Sequence, residues 1–119
     1  MTDLANIFTV LKHIMLPYVG TLTCNIDKAD EFSLNTHYIQ SNKQPLWFGG
    51  VRIRKNYVSY YLMPVYMEPA LLKPLSPALK KRMQGKSCFN FSREDPLLFS
   101  ELAALTAAAL RFYESRGYL

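Results

Sequence analysis

Basic and aromatic residues are the chemistry-bearing groups of this chain, and they gather in its middle. Arg52, Arg54 and Lys55 come first, Tyr57, Tyr60, Tyr61 and Tyr66 follow, and Lys80, Lys81, Arg82 and Lys86 close the run. From Lys43 to Arg93 there are ten Lys/Arg against Glu68 alone, a balance of +9, whereas the remainder carries four basic and eight acidic residues, a balance of −4. Guanidinium and ammonium groups hold phosphates and carboxylates, and interleaved rings add surfaces on which planar groups stack. A second reading of the same charges is a solvated face that partly pairs with the acidic ends.

Catalytic material is sparse. His13 and His37 fall on different elements, and His37 has no paired acid or nucleophile at a recognisable spacing. There is no G-x-S-x-G, H-E-x-x-H or P-loop pattern. With Glu68 as the one acid in the basic region, paired carboxylate chemistry has little to work with there. Cys88 stands two residues from Lys86, which would lower its thiol pKa, but Phe89 and Phe91 beside it favour a buried, inert thiol. Asp27, Asp30 and Glu31 share one turn and Glu94-Asp95 another, and neither group alone gives the convergent oxygens a hard cation requires. No metal, cofactor or catalytic residue is expected. The favoured reading is a binding site for a small anionic ligand or an acidic protein partner, built from Arg52, Arg54, Tyr57, Tyr61, Lys86 and His37. Nucleic-acid binding is the alternative that the basic–aromatic interleaving supports, although no recognised nucleic-acid motif is present.

These side chains need a frame, and the periodicity supplies one. Leu4, Ile7, Leu11 and Ile14 recur at helical spacing, with Phe8 and Met15 beside them. A helix over residues 2–15 follows, capped by Thr2 or Asp3, with Lys12 and His13 in its last turn and Pro17 ending it. Residues 18–26 alternate: Leu22, Cys24 and Ile26 on one side, Thr21, Thr23 and Asn25 on the other. Residues 32–40 form a second strand, with Leu34, Thr36 and Tyr38 opposite Asn35, His37 and Ile39. Residues 46–55 form a third, with Trp47, Gly49, Val51 and Ile53 opposite Phe48, Gly50, Arg52 and Arg54. The Gly49-Gly50 pair inside it signals a bulge or a close approach by backbone or ligand. Lys55-Asn56 is a tight turn in which Asn takes a positive φ. Residues 57–63 form the fourth strand, and Pro64 takes its end to an edge or out of the sheet.

Pro69 to Leu72 makes a short helical turn. Ser76-Pro77 then caps a second short helix whose left-handed exit is Gly85. Residues 86–91 form a fifth strand, with Ser87, Phe89 and Phe91 opposite Lys86, Cys88 and Asn90. Asp95-Pro96 opens a long C-terminal helix with Leu98, Leu102, Leu105, Ala109 and Phe112 as its apolar stripe, ended by Gly117. The expected architecture is one α+β domain over residues 1–119: a single antiparallel sheet of about five strands flanked by N- and C-terminal helices.

Bulk properties agree with that frame. The chain has 119 residues, 50% of them hydrophobic and 19% charged, enough apolar surface for one core and too little charge for disorder. No run of 18 apolar residues suggests a membrane span. The N-terminal stretch lacks a basic leader and reads as a folded helix rather than a signal peptide. Two cysteines without zinc spacing read as buried free thiols, with a disulfide between them as the alternative, and free thiols point to a cytoplasmic protein.

The segments KNYVSYYLMPVYMEP (Lys55–Pro69) and SPALKKRMQGKSCFNF (Ser76–Phe91) carry a resemblance. Over about Pro45 to Tyr118 the chain is similar to the YdhG-like domain-of-unknown-function family of small bacterial proteins, with GKSCFNF (Gly85–Phe91) as its most specific part. The resemblance implies a compact cytosolic α+β domain with an antiparallel sheet flanked by helices. It also implies a frataxin-like iron chaperone, because some family members are so described. Frataxin-type sites use an acidic ridge on the first helix and adjacent strand. Here the first helix carries only Asp3, and no iron-site residue carries over.

Overall fold

A computed structural model describes residues 3–119. Its elements run α1 (Leu4–Met15), β1 (Thr23–Asp27), β2 (Glu31–Ile39), β3 (Pro45–Ile53), β4 (Val58–Leu62), α2 (Met63–Met67), α3 (Pro77–Lys80), β5 (Cys88–Phe91) and α4 (Pro96–Ser115). Single 3-10 turns at Leu16–Tyr18 and Pro69–Leu72 join them. The five strands make one antiparallel sheet in chain order, β1-β2-β3-β4-β5, so the expected α+β architecture is the observed one. Among the described residues no helix is long and apolar enough to cross a membrane.

Helices α1, α3 and α4 start where side-chain oxygens meet orphan backbone N–H groups. Asp3 accepts from the Asn6 amide (3.1 Å), Ser76 from Leu79 (3.2 Å) and Asp95 from Leu98 (3.2 Å). Thr2, the other expected cap of α1, lies outside the described residues. Both long helices pack on one face of the sheet. α1 buries Ile7, Phe8, Leu11 and Met15, while α4 buries Leu98, Phe99, Leu102, Leu105, Thr106, Ala109 and Tyr113. They close over Phe32, Leu34, Phe48, Val51, Val58, Tyr60, Leu62, Phe89 and Phe91. Each such side chain contributes about 1.5–3 kcal/mol by leaving water. The expected stripe of α4 is shifted at its end: Tyr113 is fully buried and Phe112 is only half-buried.

Two buried polar contacts tie α4 to the sheet. Tyr60 on β4 and Thr106 share a 2.6 Å hydrogen bond, and Thr106 donates its own hydroxyl hydrogen to the Leu102 carbonyl (2.8 Å). Tyr60 is therefore the donor, since Thr106 has a single hydrogen to give. Desolvation raises the Tyr60 pKa and keeps that phenol protonated. Tyr113 donates to the Trp47 carbonyl (2.6 Å) on β3. A third tie joins α3 to α4. The amide and hydroxyl of Ser76 both donate to Glu101 (2.9 and 2.7 Å), which holds that carboxyl below its usual range. On the surface Lys12 pairs with Asp27 at 2.8 Å, linking α1 to β1 by an exposed bridge worth about 0.2–1 kcal/mol.

Several sequence expectations are corrected by the sheet. Gly49 pairs with Leu34 but Trp47 pairs with Asn35, so Phe48 is an extra residue in β3. That bulge lets Phe48 and Gly49 both face the helices and turns Trp47 to the opposite side, beside Gly50 and Arg52. The alternation that grouped Trp47 with Gly49 is broken there. A second bulge at Asn25 does the same in β1: Cys24 pairs with Leu34, whereas Ile26 pairs with Ser33 on the other face.

The close approach at the glycine pair is made by backbone. A Cβ on Gly49 would stand 2.2 Å from the Tyr61 carbonyl oxygen, and one on Gly50 would stand 2.5 Å from that of Phe32. The Lys55-Asn56 turn closes through Arg54 N–H to Tyr57 C=O (2.8 Å) with no left-handed residue in it. Among the described residues Lys43 is the non-glycine residue with positive φ (68°), in the β2–β3 loop.

Pro64 does not simply end β4. It occupies the first turn of α2, where its missing N–H would be unpaired anyway. The helix after Ser76 is one turn long. Beyond it the Asn90 amide donates to Arg82 C=O and the Gln84 amide to Cys88 C=O, while Met83 bridges Phe89. This short segment covers the free edge of β5. Gly85 (φ 79°) therefore makes the turn back into β5 rather than the exit of the helix.

Candidate functional site

Because the helices α1 and α4 lie on one face, the other face of the sheet is left open. Strand pairing decides what it displays. Ser33, Gly50, Tyr61 and Cys88 form one cross-strand row, and Glu31, Arg52, Ser59 and Asn90 form the next. The bulge at Phe48 adds Trp47 to this face. Arg54 and Tyr57 flank the β3–β4 turn at its end.

The rows are bonded into a fixed surface. The Trp47 indole N–H donates to Ser33 Oγ (2.8 Å). Arg54 Nη2 donates to the Tyr61 hydroxyl (2.5 Å), and Ser59 Oγ donates to Asn90 Oδ1 (2.7 Å). The Trp47 and Tyr61 rings lie 5.6 Å apart at 46°. Gly50, bare of a side chain, sits on β3 directly opposite Tyr61, and the result is a hollow of about 150 Å³ lined by Glu31, Ser33, Trp47, Gly50, Arg52 and Tyr61. Ser33, bonded to the Trp47 indole, and Ser59, bonded to Asn90, are only 5% and 2% exposed on a face that no helix covers.

The charges here are Arg52 and Arg54 against the single carboxylate of Glu31. Among the described residues the one ion pair is Lys12–Asp27, so neither Arg52 nor Arg54 has a carboxylate within 4.0 Å. Glu31 is the cross-strand partner of Arg52 and still makes no ion pair with it. Cys88 lies on this face, half-buried. Burial pushes its thiol up, with hydrogen bonding from Ser59 and Tyr61 and the charge of Arg54 opposing. Of the two sequence readings of Cys88, the lowered pKa fails, and the thiol is half-buried rather than enclosed. Cys24 is also free, on the helix side of β1. Four strand spacings, roughly 19 Å, separate the two thiols across the sheet.

The six site residues singled out from sequence do not form one group. Arg52, Arg54, Tyr57 and Tyr61 come together on the open face. His37 shares that face but sits toward β1, where its Nδ1 is 3.5 Å from Thr23 Oγ1. Lys86 is elsewhere. Strand alternation placed it with Cys88 and Asn90, but β5 begins only at Cys88, and the turn at Gly85 swings Lys86 away. Its ammonium lies 5.8 Å from the centre of the Tyr66 ring, beside a separate hollow.

Trp47, Ser33, Ser59 and Asn90 belong to the open face and were not singled out. Carrying the parity of β3 through a one-residue bulge at the glycine pair would have found Trp47. Among the described residues no group of three or more His, Cys, Asp and Glu side chains could hold a metal ion. No family model, curated protein or solved structure matches this chain.

Proposed function

We propose that this chain is a binding module that holds a small anionic ligand, or an acidic group of a partner protein, on the open face of its sheet. One observation carries the reading: Arg52 and Arg54 stand unpaired beside Trp47, Tyr57 and Tyr61 on a surface that nothing covers. Guanidinium forks match carboxylate and phosphate oxygens, and the adjacent rings supply apolar contact for the rest of the ligand. Arg54 is held in place by Tyr61, so part of the ordering needed for binding is already done.

A titration with inorganic phosphate, pyrophosphate and citrate, read by thermal unfolding, tests this. The expected result is a Tm that climbs with anion concentration in the natural chain and stays flat in Arg52→Ala/Arg54→Ala. Absence of any shift at high anion concentration removes the small-anion reading. The ring pair favours a second reading, in which the bases of a single-stranded nucleic acid stack on Trp47 and Tyr61. Binding to an oligonucleotide would then weaken steeply as salt rises, and flat or absent binding at low salt excludes it.

A further inference from the structure

Lys86 and the hollow beside it have no part in the sheet-face site. The hollow, about 510 Å³, is bounded by Val65, Tyr66, Pro69, Leu72, Met83 and Lys86, with Gly85 at its edge. That volume falls within the range of roughly 300–1,000 Å³ common to small-molecule sites. Its existence follows from the chain. Pro64, Pro69 and Pro74 break residues 63–75 into one-turn pieces that cannot pack as a continuous helix. Gly85 must be left-handed to make its turn, and nothing lies within 4 Å of where its Cβ would be, so that side stays open.

The lining has one chemical character with one exception. Val65, Pro69, Leu72 and Met83 are aliphatic, and Met83 is the side chain most able to adapt to an irregular guest. Lys86 is the single charge. No carboxylate is among the lining residues, and Glu68, the acid of this region, makes no ion pair with Lys86. Among the described residues the Lys86 ammonium has only the face of Tyr66 as partner, and that ring is 56% exposed. An apolar trough ending in one unpaired ammonium is complementary to an apolar chain ending in one negative charge.

We propose that this hollow binds a medium-chain alkyl carboxylate, its tail against Pro69, Leu72 and Met83 and its head group at Lys86. The proposal shares no residue with the sheet-face reading and stands or falls separately.

Octanoate is the probe, followed by calorimetry and by methyl NMR of Val65, Leu72 and Met83. Octanoate is expected to bind and to shift the Met83 methyl, and saturating citrate is expected to leave it bound. Replacing the carboxylate by a hydroxyl (1-octanol) should weaken binding about tenfold, the scale of one charge-assisted hydrogen bond. Lys86→Ala should weaken octanoate about tenfold and leave octanol unchanged, and Lys86→Arg should restore octanoate. Leu72→Trp, which fills the trough, should abolish both. The proposal is overturned if octanoate leaves Met83 unshifted, if citrate displaces it, or if Lys86→Ala binds octanoate as well as the natural chain does.

Discussion

Tyr60 and Thr106 illustrate how a single hydrogen atom ranks two substitutions. Both side chains are fully buried, and Thr106 spends its hydrogen on the Leu102 carbonyl, which leaves its oxygen as acceptor for Tyr60. Tyr60→Phe removes a donor from an oxygen that still makes another bond, and about 1 kcal/mol is expected to be lost. Thr106→Val keeps the shape but strands the Tyr60 hydroxyl in the core without an acceptor. That loss should be larger, toward the top of the ~1–3 kcal/mol range for an unsatisfied buried group. Urea unfolding of the two variants measures the order, and equal losses would contradict the donor assignment. Neither partner was visible as such in the sequence. Tyr60 could be placed in a strand by its neighbours, but its depth and its partner 46 residues away depend on how α4 lies across the sheet.

Elements show the same division between local and long-range causes. The caps at Asp3, Ser76 and Asp95 were legible because capping acts within three residues of the cap. Strand faces were legible only up to the first bulge. A residue inserted at Phe48 reverses every side chain beyond it, and the insertion is defined by the partner strand, not by β3. Helix α2 was missed because Pro64 serves equally to stop a strand and to start a helix.

Two glycines separate the reasons for which glycine is required. At Gly49 the obstacle is contact: a Cβ would press on the Tyr61 carbonyl, which strand pairing holds in place, and would crowd the terminal methyl of Met15 on α1. At Gly85 the obstacle is only the backbone, since the space around it is empty and φ is 79°. Gly85→Ala should therefore cost about 1–2 kcal/mol, the usual penalty for a left-handed residue. Gly49→Ala should reach or exceed the ~1–3 kcal/mol of an overpacked core. Chemical denaturation compares them, and a milder effect at Gly49 would disprove the close packing of β3 on β4 and α1.

At the scale of the whole molecule, the decisive feature is that α1 and α4 lie on the same face of the sheet. One face becomes the core and the other is left to display Arg52, Arg54, Trp47 and Tyr61. The hollow at Lys86 is built from the α2–α3 segment and the β5 turn instead. With no residue in common, the two sites should act independently. Citrate and octanoate together are expected to raise the unfolding free energy by the sum of their separate effects, as ligand linkage requires for uncoupled sites. A combined shift no larger than the greater single shift, in a calorimetric scan, would show that the two anions compete for one site.

The sequence by itself determined the α+β class, the order of the five strands and the two long helices, the caps and the concentration of positive charge in the middle of the chain. Each of these rests on composition or on spacing within a few residues. The tertiary structure alone decided which of those charges stand together. Arg52, Arg54, Tyr57 and Tyr61 meet because β3 and β4 pair in one register, Trp47 joins them through a bulge, and Lys86 leaves them through a glycine turn. The physical reason is that a side chain's direction in a sheet depends on every residue of register between it and its neighbours. One insertion or one left-handed turn redirects it, and only the paired strands show where those fall.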